Sequence, residues 1–140
     1  MEIFSSNLNY VAILVATVMS FLIGWLWYSP LLFGKPWMEA MGLTQEKIKQ
    51  QQAEGGMGKM MAIGFCLAFL TAFYLAHFAV PGMEVGTTIK WALFSWLGLV
   101  VTTNASDYLW GKRSMKLFMI NMAHHAVVIT AVSVLLTLWK

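Results

Sequence analysis

The feature that most limits what this chain can become is the recurrence of four apolar stretches almost free of charge, at about 8–28, 59–80, 87–110 and 115–139. Roughly 20 apolar residues in a row cross the hydrocarbon of a bilayer as a helix, because only a helix pairs its own N–H and C=O groups where no water can reach. Four such stretches leave little of the 140 residues for anything else. The expected fold class is therefore all-α, a four-helix integral membrane bundle forming a single transmembrane domain over residues 1–140, with an interfacial loop at 29–58. Composition agrees, with 59% hydrophobic and 11% charged residues where soluble domains carry roughly a quarter charged. The N-terminal residues Met1 to Asn7 lack a basic n-region, so the first stretch is expected to stay as a spanning helix rather than be cleaved.

A net charge of +3 raises the question of nucleic acid, but the basic residues sit where spans meet loops. Lys35, Lys47, Lys49 and Lys59 flank the first connection, and Lys112, Arg113 and Lys116 flank the third. Only Lys90 and Lys140 fall on the other side. That asymmetry predicts cytoplasmic first and third connections and both termini extracytoplasmic. The expected partner is the lipid bilayer, with no nucleic acid. A homo-oligomer is one reading, and a protein partner, if there is one, is not named by the residues.

The first span ends in a run of unusual density. Trp25, Trp27 and Tyr28 bring amphipathic rings to the depth where a helix leaves the hydrocarbon. Ser29 and Pro30 then stop or kink the helix, since proline lacks the N–H and restricts the residue before it. Phe33 is too apolar for a free loop, Gly34 and Pro36 punctuate, Lys35 reaches toward headgroup phosphates, and Trp37 returns a ring to the interface. The segment is expected to lie along the cytoplasmic membrane surface or dip shallowly into it. Thr44 then caps a short amphipathic connector helix over Gln45 to Glu54, ended by Gly55-Gly56. The second connection is a turn around Pro81-Gly82, and Gly111-Lys112-Arg113-Ser114 makes the third so short that the last two helices form an antiparallel hairpin.

The motif Trp27-Tyr28-Ser29-Pro30, with Leu32-Phe33-Gly34-Lys35, Trp37 and Met41-Gly42-Leu43, resembles the bacterial four-helix membrane family of unknown function DUF1761. The similarity runs on through Asp107-Tyr108-Leu109-Trp110, Lys116-Leu117-Phe118 with Ile120-Asn121, and Leu138-Trp139, and so covers nearly the whole chain. What the resemblance implies is architecture and, since the family is bacterial, a bacterial inner membrane as the expected location; it brings no activity with it.

Small residues recur every fourth position in the first helix (Ala12, Ala16, Ser20, Gly24) and the second (Gly64, Ala68, Ala72, Ala76). Such stripes let backbones approach closely, and they predict that helices one and two pack together, with a homodimer seam as the alternative. Cys66 in the second span is read as a core thiol, and a lone cysteine cannot form an internal disulfide.

Polar side chains inside a membrane are expensive and mark function by default. Hairpin geometry sets Asp107 and Lys116 at one height, as an ion pair, and Asn104 and Asn121 within about one turn of each other, as an interhelical amide bond. His124 and His125 stand about 100° apart on the last helix, so at most one points at the centre and extends the polar line inward. Together these six residues form a candidate polar track. Metal and haem are not expected: His77 lies at a different depth, adjacent histidines do not chelate as an i, i+4 pair does, and no CxxC or HExxH occurs. No cofactor is expected. The hydroxyls Ser95, Thr102, Thr103 and Ser106 find no histidine and acid at matching depth, so no catalytic residue is assigned and the enzyme reading leans negative. The leading expectation is a structural or interaction protein with self-association. The alternative is a small transporter or channel using the polar track, and a lipid-modifying enzyme comes third.

Overall fold

The computed structural model describes residues 8–79, 81–111 and 114–139. Its elements are all helical: α1 (Tyr10–Trp27), α2 (Gly34–Met41), α3 (Gln45–Ala53), α4 (Gly56–Ala76), α5 (Val85–Ser95), a π-helical segment Trp96–Val101, α6 (Thr102–Gly111) and α7 (Met115–Leu138). Residues Val85–Gly111 run on as one helix through the π segment, which makes four helices long and apolar enough to cross a membrane. The expected signal-free start, the Lys112-Arg113 turn and Lys140 lie outside the described residues, as does Val80.

α7 is the central helix. It packs against α1, α4 and α5 along its length and against α2 near its start. Of its apolar window 39% is buried, against 11% for the α4 window. The core is a small cluster in which Ile13, Ala16, Ala72 and Val132 are wholly enclosed. Most other apolar side chains face outward, and for a helix in lipid that costs nothing. α1 lies on α4 as well as on α7. Ala12, Ala16 and Ala72 are buried, a Cβ added at Gly64 would stand 3.5 Å from the Phe21 ring, and the Ser20 hydroxyl returns to the Ala16 carbonyl at 2.9 Å. Gly24, at the end of that stripe, faces α7 instead, where an added Cβ would stand 3.4 Å from His124 Nε2. Cys66 is exposed, contrary to the core position expected of it. It lies about half a helical circumference from Gly64, so the face that meets α1 leaves it on the opposite side.

Local caps follow from the residues. Asn9 Oδ1 accepts from the Ala12 N–H at 3.1 Å at the start of α1, Thr44 Oγ1 accepts from Lys47 at the start of α3, and Ser114 Oγ accepts from Leu117 at the start of α7. Gly42 and Gly55 take φ of 68° and 76° at helix boundaries, and Gly82 takes 91° in the turn that follows Pro81. These left-handed values suit glycine.

Candidate functional site

α1 stops as its proline requires, and residues 28–34 fold back compactly rather than lying free on the surface. Phe33 N–H donates to the Trp27 carbonyl at 3.0 Å, and Leu32 and Gly34 N–H donate to the Ser29 carbonyl at 3.1 and 2.9 Å. The Ser29 hydroxyl closes on the Leu26 carbonyl at 2.6 Å. Gly34 sits so tightly in this knot that a Cβ would lie 2.5 Å from the Tyr28 carbonyl oxygen, so no other residue fits without movement. α2 then starts at Gly34 and lies against the first part of α7.

Two polar atoms fasten the knot to α7. Trp27 Nε1–H donates to the Ile120 carbonyl at 3.2 Å, and the Tyr28 hydroxyl donates to Asn121 Oδ1 at 2.7 Å. Burial pushes the Tyr28 phenol up to about 12, so it remains a donor at ordinary pH. Rings fill the rest: Trp27 lies 4.6 Å from Phe33, Tyr28 lies 5.4 Å edge-on to Trp37, and His124 lies 6.1 Å from Trp27 and 5.1 Å from Tyr28. Trp25 and Pro30 face outward, Lys35 is exposed, and Pro36 and Trp37 are half-buried.

This arrangement redistributes the candidate track. Asn121 is taken by Tyr28, while Asn104 donates to the Val100 carbonyl of its own helix at 2.8 Å, so the expected amide pair does not form. Lys116 reaches Glu39 on α2 at 3.8 Å instead of Asp107, which stays exposed. The reason in both cases is α2 and the knot before it, which supply partners that hairpin geometry alone leaves out. Both Lys116 and Glu39 are well exposed, and such pairs contribute little. His124 and His125 lie with ring centres 5.4 Å apart, both half-buried. His124 is the one wedged between Gly24, Trp27 and Tyr28, and neither of its ring nitrogens has a hydrogen-bond partner among the described residues. Leaving such a group unpaired costs about 1–3 kcal/mol.

Several other polar groups are settled locally. Trp96 Nε1–H donates to the Met122 carbonyl at 2.8 Å, and Thr88 and Thr137 share a hydroxyl pair at 3.0 Å between α5 and α7. Thr102 and Thr103 hydroxyls return to the Gly98 and Leu99 carbonyls. Among the described residues no three of His, Cys, Asp and Glu come together as a metal site would require. The tryptophan and tyrosine anchors on Ile120 and Asn121 escape sequence reasoning; the usable signal was that Tyr28 ends α1 at a depth matching the early turns of α7.

No curated protein and no solved structure matches the chain. A family profile does, over residues 11–137, nearly the full length, and the chain belongs to the family described as Protein of unknown function (DUF1761).

Proposed function

We propose that this protein is a four-helix bundle of a bacterial inner membrane, termini extracytoplasmic and α2–α3 cytoplasmic, that works by association and performs no catalysis of its own. The observation that supports this most is the outer face of α6, where Thr102, Thr103 and Ser106 are exposed on a membrane-length helix. Small hydroxyl residues on a lipid-exposed face allow a second helix to approach closely and to exchange hydrogen bonds worth about 0.6 kcal/mol each. The stripes on α1 and α4 are occupied within the chain, so α6 is the face left for a second copy. Intact mass of the full chain released from mild detergent tests the reading. A whole multiple of the chain mass that falls to the monomer in Thr103→Leu/Ser106→Leu supports it, and a wild-type protein that is always monomeric sinks it.

The second reading is a small transporter or channel. One observation favours it: both ring nitrogens of His124 are enclosed beside Tyr28 with no hydrogen-bond partner among the described residues, and histidine is the side chain type that relays protons.

A further inference from the structure

Between α4 and α5, toward the end of the molecule that carries the Pro81-Gly82 turn, lies a cavity of about 690 Å³. It exists because α4 and α5 each pack on α7 rather than on one another. The lining at their meeting point is also small, with Ala92, Ser95 and Gly98 on one side and Ser133 on the other. Aromatic rings of Phe78, Trp91 and Phe94 form the walls, and no Asp, Glu, Lys or Arg is among the described lining residues.

The cavity is not purely apolar. Ser133 is only 3% exposed and lines this space, and neither its hydroxyl nor that of Ser95 has a hydrogen-bond partner among the described residues. Hydroxyls on membrane helices ordinarily return to their own backbone, as Thr17, Ser20, Thr71, Thr102 and Thr103 do here. At one side His77 Nδ1–H donates to the Phe73 carbonyl at 2.8 Å, which fixes the ring and leaves Nε2 also without a partner among the described residues. The π-helical segment supplies Gly98 and Leu99 to the lining, and π insertions commonly accompany functional sites.

Size decides what such a space accepts. The cavity lies within the range of about 300–1,000 Å³ usual for small-molecule sites, and its pattern of apolar walls with a few convergent polar groups is theirs too. With no counter-charge in the lining, a charged group would enter at high cost. The geometry points to a binding site for one neutral, membrane-soluble molecule, its apolar body against Phe78, Trp91 and Phe94 and its oxygen atoms hydrogen-bonded to Ser95 and Ser133. A glyceride and a quinone share that chemistry. The site is independent of the association reading, since it is completed within one chain.

The test is mass measurement of the full chain from mild detergent after incubation with 1,2-dioleoylglycerol, a short-chain ubiquinone, or phosphatidylglycerol, each at the same concentration. The expected result is one glyceride or one quinone retained per chain, the retained molecule naming the source, with phosphatidylglycerol not retained. Gly98→Leu, whose side chain enters open space, should lower the retained fraction about tenfold at unchanged helicity, and Ser133→Val should act in the same direction. Retention of neither neutral molecule, equal retention of phosphatidylglycerol, or indifference to Gly98→Leu overturns the assignment. Binding is counted per chain, so it is read separately from oligomer mass.

Discussion

Gly34 is the residue on which the fold-back turns, because its missing side chain is what lets the Tyr28 and Ser29 carbonyls close over α2. Gly34→Ala drives a Cβ to within 2.5 Å of the Tyr28 carbonyl oxygen, and the backbone must give way. A loss of about 2–3 kcal/mol is expected, the upper part of the range for overpacking. Gly58→Ala in α4 makes the control: nothing lies within 4 Å of its added Cβ, and alanine is the better helix former. Unfolding in graded denaturing detergent should separate the two, and equal stabilities would remove Gly34 from this role. The glycine was legible in the sequence as punctuation, but its necessity was not. That comes from carbonyls five and six residues upstream returning to the same point, which no local pattern records.

At the scale of elements, the docking of the knot and α2 on α7 rests on the Tyr28 hydroxyl and Asn121. The phenol holds its proton more tightly when folded, up to about 12 against an ordinary 10.0, because burial disfavours its anion. A raised value means the stability it lends is complete below pH 10 and is lost as the pH climbs from 10 to about 12. Tyr28→Phe should remove that alkaline loss and cost about 0.5–1.5 kcal/mol at neutral pH for the missing hydrogen bond. Thermal midpoints measured across the alkaline range check both, and an unchanged alkaline slope in Tyr28→Phe would place the loss elsewhere. The four long apolar helices and the stop at Ser29-Pro30 were readable because hydropathy and proline act locally. Rotation about each helix axis was not. Heights along the last two helices brought Asn104 within about one turn of Asn121, yet height says nothing of azimuth, and Tyr28 took the amide first. The π segment escaped for a related reason: a single extra residue in a turn leaves an apolar run such as Trp96–Val101 looking like any other.

For the molecule as a whole, the question is whether its polar groups join into a path. Asn104 is closed on its own backbone, Asn121 on Tyr28 and Lys116 on Glu39, each at its own end of a contact. Proteoliposomes carrying the wild-type protein should therefore dissipate an imposed pH gradient no faster than empty vesicles. A faster loss that disappears in His124→Ala would put transport ahead of association. The same layout places the last helix at the centre, and this has a consequence for synthesis. Trp27 and Tyr28 find their acceptors 93 residues further on. At about 5–20 residues per second, roughly 5–20 s pass between the emergence of the aromatic motif and that of its partners. Through that interval the tryptophan and tyrosine that end α1 stand without the groups they meet in the finished fold. Assembly waits for α7, so a chain cut short before it would leave its earlier helices inserted and their anchor without a berth.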